Sequence, residues 1–252
     1  MSLLLLLVGC GKTAAPEEDV EIRVAAASDL TRAFEEVAKA YEAKTGKKTK
    51  LTFGSTGLLS KQVLDGAPFD VFAAANVSFV DEVVQKGSCD GSTKALYARG
   101  RIVIYTKEGE APKELGELAS DGFKKIAIAN PEHAPYGRAA KEALEAEGIY
   151  ESVKPKLTFG ENISQTLQFA DSGNVDVAIV ALSLAIGSPG RYTLIDDSLH
   201  KPLDQALVVC GRGSTAERGR GFAEFVSSPE GREIMRRYGF LLPGEKLSVA
   251  EE

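Results

Sequence analysis

The 252-residue sequence has no tryptophan, only two histidines and three cysteines, and no long apolar run after its first ten residues. Without such a run, no later segment is predicted to span a bilayer. The two histidines, His133 and His200, lack the spacing of a zinc site, in which two histidines stand four residues apart on a helix. We interpret His133 as a loop residue that buttresses its own turn.

An excess of positive charge is also missing. The chain has 30 Lys and Arg against 36 Asp and Glu, which gives a net charge of -6. Binding of a nucleic-acid backbone requires clustered cations that displace counterions, and the sequence contains no such cluster. Nucleic acid is therefore excluded as the expected partner. The remaining composition is that of an ordinary globular protein.

The N-terminus carries the one targeting signal. A short apolar run, Leu3 to Val8, leads into Leu7-Val8-Gly9-Cys10 and is followed by polar residues. This pattern resembles the lipobox of bacterial lipoproteins, which implies lipidation of Cys10, a signal and tether over 1–19, attachment to the membrane, and a periplasmic or cell-surface location. The alternative is an apolar N-terminus without a targeting role, because no Lys or Arg precedes the run and it is shorter than a usual signal core.

Two further cysteines lie within the globular part. Cys89 stands in a turn after Gly87 and Ser88, and Cys210 ends an apolar run. A disulfide can form outside the cytoplasm, but nothing in the sequence brings the two Cα atoms within bonding distance. We expect two unpaired thiols, with a disulfide between them as the alternative.

Strand-like and helix-like segments alternate along the chain. The predicted strands lie at 21–27, 50–53, 70–75, 101–106, 125–129, 157–159, 175–180 and 202–210. The predicted helices begin after residue 28 and at 57, 78, 138, 163, 216 and 229, with Gly46 ending the first. Such alternation predicts an α/β fold whose ligands sit beyond the carboxyl ends of the strands.

The predicted strands and helices form one α/β unit, then a second α/β unit, and the last strand and helices return to the first. We therefore predict two lobes, with two parallel or mixed sheets joined by two crossover strands and a cleft that closes by hinge motion. The first lobe is predicted to contain residues 20–100 plus 208–252, and the second residues 101–207. The alternative is one continuous doubly wound sheet.

Four short segments lie between a predicted strand and the helix that follows it. They are Ala27-Ser28-Asp29, Gly54-Ser55-Thr56-Gly57, Pro135-Tyr136-Gly137 and Glu161-Asn162-Ile163. The start of a helix has unpaired N–H groups and the positive end of the helix dipole, so each segment could hold part of an anion. One such segment is weak support, because Ser, Thr and Asp are ordinary helix caps, but four together indicate an oxyanion site built from neutral donors.

Five motifs, spread over about residues 20 to 245, resemble the substrate-binding protein of bacterial molybdate ABC transporters. They are Ala25-Ala26-Ala27-Ser28 with Leu30-Thr31, FGSTGLLSKQV at 53–63, GAPFDVFAAAN at 66–76, NPEHAPYG at 130–137 and VDVAIVALS at 175–183. The resemblance implies a two-lobed periplasmic binding protein, type II-like and monomeric, without a cofactor and without catalysis. It would capture molybdate or tungstate for the membrane permease of an ABC importer.

The resemblance also implies the residues that hold the ligand. Ser28 would donate through its hydroxyl and N–H, and Thr56, with Ser55 as the alternative register, would donate from the second loop. The backbone N–H groups of Tyr136 and Ile163 would complete the shell from the second lobe. Molybdenum would be present only as the oxyanion that these residues hold.

Two positions depart from the family pattern. Many members have a tyrosine hydroxyl where this chain has Ala181, and the phenol of Tyr136 either supplies that hydrogen bond or packs under its loop. Asp29, next to Ser28, would repel a dianion if it faced the cleft. We expect Asp29 to cap the following helix and point away.

Two other functions remain as alternatives. A sulfate or phosphate receptor would use the same fold, although phosphate keeps a proton at neutral pH and needs an acceptor that a donor-only shell lacks. A serine hydrolase would use Ser55 as its nucleophile. The segment around Ser55 lacks the G-x-S-x-G spacing and an obvious base, so we expect no enzyme activity.

Overall fold

A computed structural model describes residues 21–245, and the predicted signal, tether and lipidation site at Cys10 lie outside these residues. Among the residues described, no helix has the length and apolar character needed to cross a membrane. The strands are β1 (Ile22–Ala27), β2 (Thr49–Gly54), β3 (Val71–Ala74), β4 (Asp90–Gly100), β5 (Ile102–Thr106), β6 (Ile126–Ala129), β7 (Leu157–Gly160), β8 (Val177–Ala181), β9 (Arg191–Leu194) and β10 (Leu203–Val209).

These strands form two five-stranded sheets, in the orders β2-β1-β3-β10-β4 and β7-β6-β8-β5-β9. In the first sheet β1 is parallel to β2 and β3, whereas β10 is antiparallel to β3 and β4. The second sheet repeats this arrangement with β6 parallel to its neighbours and β5 antiparallel to its own. The chain passes from one sheet to the other between β4 and β5 and returns between β9 and β10. The predicted α/β fold with two mixed sheets is confirmed.

The α-helices are α1 (Thr31–Thr45), α2 (Thr56–Leu64), α3 (Val77–Gln85), α4 (Pro135–Ala146), α5 (Tyr150–Val153), α6 (Ile163–Asp171), α7 (Leu182–Ala185), α8 (Ser214–Ser227) and α9 (Pro229–Arg237). Gly46 ends α1 at a φ of 72°, a left-handed conformation that glycine adopts without a Cβ penalty, as predicted. The prediction missed β4 and β9 and placed the start of α4 at Arg138, three residues after Pro135. Proline at the first helical position fits α4, because it gives up an N–H that has no helical acceptor.

The core lies on both faces of each sheet. The central strands are buried throughout and read as unbroken apolar runs, as in Ile126–Ala129 and Val177–Ala181. Helix α1 covers the first sheet with Phe34, Val37 and Tyr41. Both sheets are thus well packed, and this packing fixes where the loops at the ends of their strands lie.

The prediction that Asp29 or Ser28 caps α1 is wrong. A single 3-10 turn, Ser28–Leu30, separates β1 from α1, and neither end of this turn has a side-chain cap. Asp29 is 1% exposed and points into the protein. The carboxyl group is held by tertiary contacts that local sequence does not encode.

The expectation of two unpaired thiols is also wrong, because Cys89 and Cys210 form a disulfide. Cys89 immediately precedes β4 and Cys210 immediately follows β10. These strands are antiparallel neighbours, with Asp90 opposite Val209, so the next position outward places the two cysteines opposite each other. The missed strand β4 is the reason that the pairing was not predicted.

Candidate functional site

A small cavity of about 10 Å³ lies at the carboxyl ends of β1, β2 and β3, where the first sheet faces α4 and α6. Its wall contains residues from all four of the predicted strand-to-helix segments. The lining residues are Ala27, Ser28, Asp29, Gly54, Ser55, Thr56, Ala75, Ala134, Pro135, Tyr136 and Ile163. The structure therefore brings all five predicted ligand-binding residues together, and no Lys, Arg or His is among the described residues that line the cavity.

The first lobe contributes two hydroxyl groups, those of Ser28 and Thr56. Ser28 is 4% exposed, and its carbonyl accepts hydrogen bonds from Thr31 and Ser164. Thr56 is the first residue of α2, and its Oγ1 accepts the N–H of Ala75 at 3.2 Å. Because that bond uses only a lone pair, the Thr56 hydroxyl keeps its own hydrogen for another acceptor.

Ser55, the alternative donor of the second loop, is bound to the other lobe. Its Oγ lies 2.8 Å from the carbonyl oxygen and 2.8 Å from Nδ1 of His133. His133, whose N–H bonds to Asn130 within its own turn, thus also contacts the other lobe and places a ring nitrogen beside Ser55. Ser55 has one hydroxyl hydrogen, and when it is donated to the His133 carbonyl it is not donated to the imidazole. In residues 21–245 no carboxylate is hydrogen-bonded to the imidazole to orient it. A nucleophile-base-acid triad is therefore not assembled.

The second lobe contributes backbone N–H groups at two helix starts. Tyr136 is the second residue of α4, and Ile163 is the first residue of α6. Groups in the first turn of a helix have no intrahelical acceptor, and the helix dipole makes this end favourable for an anion. Asn162 caps α6 by accepting the N–H of Gln165, which leaves the Ile163 N–H free for a ligand.

A buried polar network adjoins these donors and was not predicted. Oδ2 of Asp29 accepts hydrogen bonds from the Tyr136 hydroxyl at 2.9 Å and from Nε2 of Gln205 at 2.7 Å. The Tyr97 hydroxyl donates in turn to Oε1 of Gln205 at 2.8 Å. The Tyr136 phenol thus packs under its loop with its hydrogen directed at Asp29. A polar Gln205 inside the apolar strand β10 was the signal in the sequence for such a network.

Burial dominates the acid-base properties of this network. It raises the pKa of Asp29 to about 6, although the hydrogen bonds from Gln205 and Tyr136 lower it. Burial, with the nearby charge of Asp29, also raises the pKa of Tyr97 and of Tyr136 well above the usual value. Both phenols are therefore protonated donors at any physiological pH.

Direct hydrogen bonds hold the two lobes together around the cavity. The Gly57 N–H donates to the His133 carbonyl at 2.9 Å, and the Ser183 hydroxyl donates to the Asp29 carbonyl at 2.8 Å. A Cβ on residue 57 would lie 2.8 Å from the same His133 oxygen, which is closer than such atoms approach. Glycine at position 57 is thus required for this contact between the lobes.

Ala181, the position at which a donor is missing, ends β8 and is fully buried. It does not line the cavity in the described part of the chain. Across residues 21–245 there is also no group of three or more His, Cys, Asp or Glu side chains that could hold a metal ion. The site offers hydrogen-bond donors and one carboxyl group, which suits an anion rather than a metal cation.

The profile of the bacterial extracellular solute-binding proteins matches residues 22–241. This chain belongs to that family. The molybdate-binding protein ModA of Rhodobacter capsulatus is 33% identical over 229 residues, which are 90% of this chain and 91% of that protein. ModA of Azotobacter vinelandii is 31% identical over 246 residues, 95% of this chain and 97% of that protein.

A solved structure agrees with this assignment. The periplasmic molybdate-binding protein of Azotobacter vinelandii superimposes with a TM-score of 0.84 at 25% identity, covering 88% of this chain and all 100% of that one. The resemblance drawn from the five motifs is confirmed. Members of this family bind solutes outside the cytoplasm and do not transform them. Both points agree with the predictions of an extracytoplasmic location and of a protein that is not an enzyme.

Proposed function

We propose that this solute-binding protein captures molybdate or tungstate and delivers it to the permease of an ABC importer. The observation that carries the proposal is the single cavity at which hydroxyls of Ser28 and Thr56 meet the helix-start N–H groups of Tyr136 and Ile163. A tetrahedral dianion needs several donors from different directions, and these four residues supply them from both lobes. The two ModA relatives are named as molybdate-binding proteins.

The absence of a cation from the described cavity wall also supports a small, fully deprotonated oxyanion. Neutral dipoles can hold such an ion without the bidentate geometry that an arginine would impose. The direct contacts of Gly57 and Ser55 with His133 join the two lobes beside the cavity. The size of the donor shell must separate molybdate from sulfate, because the two ions carry the same charge and sulfate, with its shorter bonds, would not reach every donor of a shell that fits molybdate.

Hydrogen phosphate is the second candidate, and Asp29 is the observation that favours it. A carboxylate in the wall can accept the proton that phosphate keeps at neutral pH, whereas molybdate and tungstate have no proton to donate. The four donors do not need Asp29 to hold an oxyanion, so we retain molybdate and tungstate as the proposed ligands.

Three further features belong to this proposal. Residues 20–100 plus 208–252 would form one lobe and residues 101–207 the other, with the two crossings between the sheets as hinges. The protein would act as a monomer, anchored to the membrane by a lipid on Cys10. Mass spectrometry of the protein from a membrane fraction tests the anchor, since cleavage before an acylated Cys10 is expected and an intact N-terminus would contradict it.

Isothermal titration calorimetry with molybdate, tungstate, sulfate and phosphate tests the ligand. We expect molybdate and tungstate to bind with similar affinity, and sulfate and phosphate to bind much more weakly. Equal or tighter binding of sulfate or phosphate would overturn the choice of ligand. Hydrolysis of an ester substrate that is lost in Ser55→Ala would instead support the hydrolase.

A further inference from the structure

The carboxyl group of Asp29 is in an unusual position for a site that holds an anion. It lines the candidate cavity, is 1% exposed, and uses only Oδ2 for its hydrogen bonds with Tyr136 and Gln205. The other oxygen, Oδ1, is buried and has no hydrogen-bond partner in residues 21–245. A buried carboxylate is normally paired with a cation or surrounded by donors, because its desolvation is otherwise costly.

The elements around Asp29 present no positive charge to it. Tyr136 from α4, Tyr97 from β4 and Gln205 from β10 are its polar neighbours, and all three are neutral. The Ser183 hydroxyl at the start of α7 is bound to the Asp29 carbonyl and is also neutral. Ser164 of α6 is bound to the carbonyl of the adjacent Ser28.

The arginines of α1, α4 and β4 have other partners. Arg32 of α1 is bound to Ser188 and to the carbonyl of Ile186, and Arg138 of α4 is bound to two carbonyls of its own loop. Arg99 of β4 and Asp204 of β10 pair with each other. No described cation is thus placed to neutralise Asp29.

We propose that Asp29 takes up one proton from solvent when the oxyanion binds, so that capture becomes tighter as the pH falls. This inference rests on the proposed function. A dianion and an ionised carboxyl group in one buried site repel each other, whereas the protonated acid removes that repulsion and adds an O–H donor to the site. The carboxylate gains the proton, and the ligand remains a dianion.

The pKa of the group agrees with this geometry. Burial already raises the pKa of Asp29 from 3.8 to about 6, and the charge of a bound dianion would raise it further. Between about 6 and the higher pKa of the liganded protein, the liganded protein holds a proton that the free protein has lost. Affinity must then increase with falling pH, by up to about tenfold for each pH unit.

The experiment is calorimetric titration of the purified protein with molybdate between pH 5.5 and 8, combined with titration at pH 7 in two buffers of different ionisation enthalpy. For the wild type we expect affinity to rise as the pH falls and close to one proton to be taken up per oxyanion. Asp29→Asn should bind with an affinity that changes little with pH and without proton uptake. The matched control is Asp70→Asn, since Asp70 is a buried aspartate at the opposite end of β3 that should leave the wild-type pH profile intact.

A wild type that takes up no proton, or an Asp29→Asn variant that keeps the wild-type slope, overturns the inference. If Asp29→Asn does not fold, the proton count of the wild type decides alone. Failure to bind molybdate at every pH overturns the proposed function instead, and the two failures are therefore distinguishable.

Discussion

Tyr136 of the second lobe donates its phenolic hydrogen to Oδ2 of Asp29 in the first lobe, over 2.9 Å. The sequence left open whether this phenol replaces the donor missing at Ala181. Because a phenol has a single hydrogen and Asp29 accepts it, the hydroxyl cannot donate to an oxyanion at the same time. In this structure the hydroxyl joins the two lobes and donates a hydrogen bond to a buried carboxyl group.

Replacement of Tyr136 by Phe should therefore destabilise the protein by about 1 to 3 kcal/mol, because it leaves a buried carboxyl group with one donor fewer. The loss should be larger above pH 6, where Asp29 is ionised, than below it. Urea unfolding at pH 5 and pH 8 measures both. Tyr192→Phe is the control, since Tyr192 is 44% exposed in β9 and should change nothing. Equal losses at both pH values would show that the phenol does not act on the carboxylate.

The pH dependence of stability should change in Asp29→Asn. The folded pKa of about 6 lies above the ordinary 3.8, so the folded protein binds more protons and loses stability as the pH rises from about 4 through 6. That loss amounts to up to about 3 kcal/mol and is absent from an asparagine. The free energy of unfolding of Asp29→Asn relative to wild type should thus increase between pH 4 and pH 7. Parallel pH profiles of the two proteins would contradict this.

Ser28→Ala and Thr56→Ala should each weaken oxyanion binding by about 1 to 3 kcal/mol, because each removes a donor from a buried anion. Titration calorimetry with molybdate measures the change. Ser60→Ala is the control, since the Ser60 hydroxyl is buried in α2, has no hydrogen-bond partner in the described residues and does not line the cavity. Wild-type affinity in both site variants would show that the oxyanion binds elsewhere.

Gly57→Ala should lower the affinity by about tenfold or more, because the added Cβ would lie 2.8 Å from the His133 carbonyl oxygen and hold the lobes apart. The matched control is Gly116→Ala, where the nearest described atom to an added Cβ is the end of the Glu147 side chain at 3.6 Å. Titration of both variants with the same oxyanion compares them. If Gly57→Ala binds as tightly as Gly116→Ala, the contact between Gly57 and His133 does not contribute to capture.

Reduction of the Cys89–Cys210 disulfide should lower the free energy of unfolding by about 2 to 5 kcal/mol. The bond joins β4 to β10 at the end of the first sheet away from the cavity. The affinity for the oxyanion should therefore not change. Urea unfolding with and without a thiol reductant measures the effect. The double variant Cys89→Ser and Cys210→Ser should have the lower stability in both conditions, and a wild type insensitive to reductant would contradict the prediction.

Local patterns in the sequence were sufficient for most of the fold. Apolar runs such as Ile126–Ala129 and helix ends such as Gly46 depend on neighbours in the chain, so periodicity and backbone preference identify them. Strand β4 was missed because its exposed and polar positions, such as Ser92 and Lys94, break the apolar run. The disulfide was missed with it, because only the pairing of β4 with β10 places Cys89 opposite Cys210.

By itself, then, the sequence determined the alternation of strands and helices and the four segments that start helices with free donors, because both follow from residues close together in the chain. Tertiary structure alone decided where Asp29 points. Its partners, Tyr136 and Gln205, are 107 and 176 residues away in the chain, and desolvation of a carboxyl group is a property of the assembled interior rather than of any local motif.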